Sequence, residues 1–399
     1  MRQYQCKVYF MTLLAVASLA ASAYFGGAAG CDNTNAGGGG GTGGTGGGGT
    51  PDNTAPTVNS TNPVNASTDV AINTKIAASF SEEMDPLTIT TATFQVTGPG
   101  STSVAGAVDM DSTNRVAIFT PATNLASNTL FTATITTGVE DPAGNALASD
   151  YESNFTTGTT ATATLPPQTV GQDPVPLGSS STFAILASAG ITNIPTSAIT
   201  GDVGLTPDAG SNITGLSSPA TCPEVTGTVY TVDATGPACA EIDPVLLTDA
   251  KSDAEVAFLN ARAAVRGTPQ AISGNLNGLT LYPGVYESGT SLEISPGGFL
   301  YLDAQGDANA VFIIRSATSI TTEDTSEVVL TKGAQANNVY WTAGSAATLG
   351  TDSIMKGTLI AGTAISLLTG ANLEGRALNQ GAAAAAITLD SCTITVPSP

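Results

Sequence analysis

The chain has 399 residues, 45 of them Gly, with 32 acidic side chains against 11 basic ones, only 11% charged and 5% aromatic residues, and no His. Without His, imidazole general bases, Ser/His/Asp and Cys/His triads and the commonest zinc sites are excluded for this chain acting alone. A net charge of -21 argues against nucleic acid, which needs clustered Lys and Arg, while 41% hydrophobic residues exclude wholesale disorder and the length predicts two or three domains.

Arg2 and Lys7 precede a charge-free stretch from Val8 to Gly30 that contains Leu13, Leu14, Val16 and Leu19 and runs into Ala28-Ala29-Gly30-Cys31. This pattern predicts a secretory signal peptide over residues 1–30 and no spanning helix, because its later half turns small and Gly-rich. The small-small-Cys ending resembles the bacterial lipobox, which implies lipidation of Cys31 and a membrane partner through that anchor. The alternative is an ordinary signal peptide cut nearby. Asp32 resembles an inner-membrane retention signal, so inner and outer membrane both stay open. Residues 31–53 carry eleven Gly and two Thr between Gly37 and Gly49, a composition that cannot build a core and predicts a flexible tether reaching about 25 to 30 Å.

From 54 to 158 short alternating runs recur, such as Lys75 to Phe80, Thr93 to Val96, Arg115 to Phe119 and Phe131 to Ile135, punctuated by Gly98-Pro99-Gly100 and Asp141-Pro142-Ala143-Gly144-Asn145. That rhythm predicts a β-sandwich. Pro56, Pro63, Phe80-Ser81-Glu82-Glu83-Met84-Asp85, the Asp141 to Asn145 turn and Asn154-Phe155-Thr156-Thr157 resemble the bacterial Ig-like domains of surface proteins. Glu82, Glu83 and Asp85 lack the carbonyl-ligand spacing of a calcium loop and read as a solvated turn, so no metal is assigned.

After a Pro-bearing linker over 159–176, residues 177–397 are self-similar. Val311-Phe312-Ile313-Ile314, Val339-Tyr340-Trp341-Thr342, Thr358-Leu359-Ile360-Ala361 and Arg376-Ala377-Leu378-Asn379 begin alike, at steps of 28, 19 and 18 residues. Three short strands in the shorter steps make one coil of a three-sided β-solenoid, and the longest step holds a loop insertion. Asp243-Pro244 supplies an N-cap and first-turn proline, and Leu247, Ala250, Ala254, Phe258, Ala261 and Val265 repeat at three-four spacing before Gly267. A helix over about 244–266 is predicted, about 34 Å long, lying along six or seven coils with Lys251, Asp253, Glu255 and Arg262 outward. The fold class is therefore mainly all-β: an Ig-like sandwich followed by a three-sided solenoid with one long α-helix alongside. Cys222 and Cys239, seventeen residues apart in a Pro- and Gly-rich region, read as one local disulfide. Cys392 alternates with Ile394 and Val396 and reads as a buried thiol, its pairing otherwise open.

The second strand of each coil reads Thr318-Ser319-Ile320-Thr321, Ser345-Ala346-Ala347-Thr348, Thr363-Ala364-Ile365-Ser366 and Ala385-Ala386-Ile387-Thr388. Period-two alternation buries the third residue and turns the second and fourth outward. Stacking then sets Ser319, Ala346, Ala364 and Ala386 beside Thr321, Thr348, Ser366 and Thr388. Ala189-Gly190-Ile191-Thr192 reads as an earlier rung, whereas Thr290-Ser291-Leu292-Glu293 puts a charge in the row. The outward residues repeat by about 4.8 Å between coils and about 6.7 Å along a strand, close to oxygen repeats in ice. Small side chains and χ1-stiff Thr suit such a face to organising water.

Phe183-Ala184-Ile185-Leu186-Ala187, Thr200-Gly201-Asp202-Val203-Gly204, Leu281-Tyr282-Pro283-Gly284-Val285-Tyr286, Leu302-Asp303-Ala304-Gln305-Gly306-Asp307, Asn338-Val339-Tyr340-Trp341 and Gly375-Arg376-Ala377-Leu378 resemble the microbial ice-binding family built on a discontinuous β-solenoid. The resemblance implies that the discontinuity is the insertion carrying a cap, at about 206–243, and the helix. It further implies a flat Thr-x-Thr-like face for ice, comprising Thr192, Thr318, Ser319, Thr321, Ser345, Ala346, Thr348, Thr363, Ala364, Ser366, Ala386 and Thr388. The partner expected is an ice crystal surface, met by a single copy without cofactor or catalysis, exported and held at the cell envelope or released. Two other readings are an adhesin for polysaccharide or another cell, which exposed aromatics would favour, and a solenoid hydrolase or lyase using Asp303, Asp307, Glu323 or Asp324.

Overall fold

Val58–Asn62, Ile76–Phe80, Val116–Pro121 and Gly106–Met110 form one sheet of a β-sandwich in the computed structural model, which describes residues 52–168, 171–380 and 385–398. Cys31, the signal-like stretch and the Gly-rich segment lie outside the described residues. Ser67–Val70, Tyr151–Thr157, Leu130–Ile135, Phe94–Gly98 and Thr102–Ser103 make the second sheet. Ile76, Ala78, Phe80, Phe94, Phe119, Phe131 and Phe155 fill the space between them. Burial does not alternate along Ile76–Phe80 or the first four residues of Val116–Pro121; every side chain there is buried. The expected solvent face of this sheet is covered.

The cover is the solenoid. Ala77, Val116 and Ile118 of the sandwich pack against Phe299, Tyr301 and Val329, all at most 3% exposed. Lys75 Nζ sits 4.5 Å above the Tyr301 ring and donates to Thr280 Oγ1 at 2.9 Å, while Asn62 Nδ2 donates to Asn277 Oδ1 at 3.2 Å. A backbone bond from Ser112 N to Leu330 O at 2.8 Å and an exposed Lys332–Asp109 ion pair complete the seam. Desolvated rings carry this docking; an exposed pair adds only about 0–1 kcal/mol. Two residues of the connector are held as well: Gln168 exchanges side-chain hydrogen bonds with the Val285 backbone at 3.0 and 3.1 Å, and Val175 is buried in the cluster beneath the helix.

The solenoid has three parallel faces. One, including Gly284–Ser288, Phe312–Ser316 and Val339–Ala343, turns Val285, Ile313 and Tyr340 toward the helix. The second holds the Thr- and Ser-bearing strands. The third, including Phe299–Asp303 and Glu327–Thr331, receives the sandwich. In the short coils the third strand runs straight into the next first strand, as in Ile354–Ala361. Gly357 makes that corner with φ 108°, where an added Cβ would lie 2.5 Å from Val339 O, so only glycine fits.

Coil order in space is not coil order in sequence. Phe183–Ala187 pairs with Asn372–Asn379, and Gly190–Ile194 with Ala386–Asp390, so the first coil stacks on the last. The chain then leaves through the cap and helix and re-enters at the far end with Gln270–Ala271 beside Gly284–Ser288. Cys222 and Cys239 are bonded, with Cα atoms 5.9 Å apart, and Cys392 is a buried thiol. Reduction of the disulfide is expected to lower stability by about 3 kcal/mol, measured as a fall in unfolding midpoint on adding a thiol reductant.

The helix α1 spans Pro244–Ala261, capped by Asp243 Oδ1 accepting from Leu246 N at 2.9 Å. It is shorter than the periodicity suggests, about 27 Å, and Ala264–Arg266 form a separate 3₁₀ turn. Arg315 ends it: its guanidinium donates to Ala261 O at 2.7 Å and Ala263 O at 3.4 Å, a cation placed at the negative end of the helix. Val265 is consequently 86% exposed, and Ala257 takes a place in the buried stripe. Of the four charges expected outward, only Glu255 is fully exposed. Lys251 donates to Ser188 Oγ and Asn379 O, Asp253 accepts from Ser179 N at 2.7 Å, and Arg262 donates to Ser316 O at 3.0 Å. These long side chains satisfy carbonyls and amides where coils turn beneath the helix, and burial brings the Lys251 ammonium down to about 8.

Candidate functional site

The second solenoid face is built from eight parallel strands, in the spatial order Ile213–Thr214, Gly190–Ile194, Ala386–Asp390, Ile365–Leu367, Ala347–Leu349, Ile320–Thr322, Leu292–Ile294 and Gly274–Asn275. Inward, Ile191, Ile387, Ile365, Ala347, Ile320 and Leu292 stack in register, each at most 3% exposed. Because a one-residue slip would exchange faces, this apolar column fixes what the outer surface shows.

The outer column reads Thr214, Thr192, Thr388, Ser366, Thr348, Thr321, Glu293 and Asn275, every neighbouring pair in direct register. Thr192, Thr214 and Thr388 are exposed, and Thr321, Thr348 and Ser366 half-buried by their neighbours. Thr388 Oγ1 donates to Ser366 Oγ at 3.0 Å, tying two rungs of hydroxyls together. Beside it, Ser319, Ala346, Ala364 and Ala386 are half-buried, with Gly190 paired to Ala386 at the next rung. Ser345 N donates to Thr318 O at 2.9 Å and Thr363 N to Ser345 O at 3.0 Å, so Thr318, Ser345 and Thr363 stack as a further column at the face edge. All twelve face residues singled out from sequence therefore lie on this one surface. Thr192, expected as an earlier rung, sits beyond Thr388 because the first coil stacks on the last. Thr214 was missed: Ser211-Asn212-Ile213-Thr214 carries the same Ile-Thr signal but falls inside the stretch at about 206–243 expected to be cap, whereas Ile213–Thr214 pairs with the solenoid strand at Ile191–Thr192.

Charge is kept off most of this surface. Lys356 turns to the third face, where its Nζ meets Glu374 Oε2 at 2.8 Å. Asp390, at the margin, accepts from Thr369 Oγ1 at 2.7 Å. Ile194 and Leu368 are exposed apolar side chains along that same margin, at 54% and 40%. Trp341, Tyr340 and Tyr286 are buried and give no aromatic platform. Asp303 and Asp307 each accept the backbone N–H two residues on, at 2.8 and 2.9 Å, as turn-capping carboxylates do, and Asp324 accepts from Thr351 N of the neighbouring coil at 2.9 Å. In the sandwich, ligand oxygens of Asp52, Glu82 and Asp141 come within 4.8 Å of one another, not those of Glu82, Glu83 and Asp85. The Asp141 carboxylate is used by its own turn, accepting from Ala143 N, Asn145 N and Asn145 Nδ2, each at 2.8 Å.

The class defined by this geometry is a discontinuous parallel β-solenoid with a lateral helix and one face bearing an in-register column of hydroxyls. The family described as Ice-binding-like matches residues 185–395, and the bacterial Ig-like domain matches residues 52–157. An ice-binding protein of Flavobacterium frigoris is 38% identical over 228 residues, 56% of this chain and 77% of that protein. One from Colwellia sp. is 36% identical over 226 residues, 56% and 84% of the two chains. Among solved structures, an ice-binding protein from an Antarctic biological consortium aligns with 38% identity and a TM-score of 0.52, covering 59% of this chain and 97% of that one. The ice-binding protein 1 domain of Shewanella frigidimarina aligns at 30% identity with the same TM-score, covering 57% and 99%. The chain belongs to the ice-binding-like family.

Proposed function

We propose that the protein adsorbs to ice through the Thr/Ser/Ala face and, once adsorbed, opposes ice growth and recrystallisation or holds the cell to ice. The observation that carries this reading is the in-register column of six hydroxyl side chains, Thr214 to Thr321, with the small column beside it. A rigid parallel ladder pre-places hydroxyls and methyls at about 4.8 Å intervals, so ordering water there costs little further side-chain entropy. The face needs no cofactor and offers no acid-base pair, and the activity is adsorption without bond making or breaking.

The lipobox-like ending at Cys31, the Gly-rich segment and the matched Ig-like domain support an exported protein anchored through Cys31. The seam between sandwich and solenoid makes the two one body, in place of beads on a string, so the solenoid alone would expose Phe299, Tyr301 and Val329. The experiment is therefore done on residues 52–399: fluorescently labelled protein in a slowly growing ice hemisphere should enter the ice fraction well above an inert control of similar charge. Exclusion into the liquid to the same extent as that control overturns the reading.

A further inference from the structure

The hydroxyl column does not run the length of the face. Six rungs, Thr214, Thr192, Thr388, Ser366, Thr348 and Thr321, are followed in the same register by Glu293 and then Asn275. The rung bearing Glu293 is otherwise built like the others. Leu292 is 1% exposed and stacks under Ile320, and Ser291, the residue before it, continues the small column. One exposed side chain, Glu293, departs from the pattern.

An ionised carboxylate holds its own shell of water, and stripping that shell without a paired cation is expensive. Its hydration geometry also competes with the repeat that neighbouring hydroxyls impose. We propose that Glu293 sets the boundary of the ice-contact patch, confining it to the six hydroxyl rungs, about 24 Å along the stack, and so limits the activity of this protein. This rests on the assignment of the face to ice. Thr at 293 restores a stiff hydroxyl and methyl in register and lengthens the patch by one rung without touching the core.

The test compares Glu293→Thr with two other variants in residues 52–399, with circular dichroism and melting checking the fold. Glu255→Thr removes the same charge from the exposed side of α1, and Thr348→Tyr blocks the centre of the face. Glu293→Thr is expected to raise thermal hysteresis roughly 1.5-fold at equal concentration, one added rung giving a fraction of a kcal/mol, with a matching fall in the concentration that arrests recrystallisation. Glu255→Thr should leave both unchanged. Activity of Glu293→Thr at or below the parent level, with Thr348→Tyr inactive, overturns the boundary and leaves the face assignment standing. An equal rise in both Glu variants also overturns it, because net charge then explains the gain. Full activity of Thr348→Tyr removes the face assignment itself.

Discussion

Thr348→Tyr is expected to abolish ice activity while leaving the fold in place. Thr348 lies between Thr321 and Ser366 in the middle of the hydroxyl column, and its chain neighbours Ala347 and Leu349 are the buried ones, at 1% each. A phenol at 348 points away from the core, so packing is untouched and the cost in stability should be within about 0.5 kcal/mol. At the surface, the ring stands several ångströms above a plane otherwise made of Thr, Ser and Ala, and holds the neighbouring rungs off any flat partner. Adsorption needs many weak contacts made together, and losing simultaneous engagement of the central rungs should reduce hysteresis at least about tenfold, equivalent to only 1.4 kcal/mol. Hysteresis and recrystallisation assays beside a melting curve measure both halves of the expectation. Unchanged hysteresis in a folded variant removes this face from the account.

Glu327→Gln is expected to stabilise the protein at pH 8 and to leave it unchanged near pH 4. Glu327 is 5% exposed and sits where the third solenoid face meets the sandwich, beside a cleft of about 540 Å³. Burial pushes its carboxyl up to about 7, with the nearby Asp111 carboxylate adding to the rise and Lys356 and the Ser79 hydroxyl opposing it. Lys356 is itself paired with Glu374, and Asp111 accepts the backbone N–H groups of Thr113, Arg115 and Val116. Since the folded value lies above the ordinary 4.5, the buried acid is accommodated fully below about pH 4.5, and stability falls as pH rises from there to about 7. The total loss is about 3 kcal/mol, all of it at or below the plateau reached by pH 8. Gln keeps the shape without the ionisation, so its melting should lose that pH dependence. Parallel pH profiles for the two proteins show that Glu327 is not the group responsible.

Much of the candidate face was legible because its signal is local and repeated. A small residue, then Ile or Ala, then Thr or Ser recurs at coil spacing, and alternation alone assigns Ile320 inward and Thr321 outward. The helix start was equally legible from Asp243-Pro244, whose cap acts within a few residues. Its end was not: periodicity runs through Val265, but Arg315, more than fifty residues away in sequence, takes the last carbonyls and the chain turns. The same holds for Lys251 and Arg262, which look like solvent-facing charges on a helical wheel and instead reach back to coil carbonyls. Thr214 was passed over because it falls within the stretch expected to be cap and meets Thr192 only in space.

By itself, the sequence determined the repeat, the classes of its domains, the identity of the outward residues and the absence of any imidazole chemistry, since each follows from composition or from neighbours within one coil. Only the tertiary structure decided that the first coil closes against the last, which brings Thr192 and Thr214 into line with Thr388. It alone decided, too, that the sandwich docks on the third solenoid face instead of swinging from a linker. Both depend on contacts between segments about two hundred residues apart in sequence, and unbroken runs such as Ile-Ala-Ala-Ser-Phe at 76–80 and Phe-Leu-Tyr-Leu at 299–302 announce burial on two sides without saying which surface provides the second.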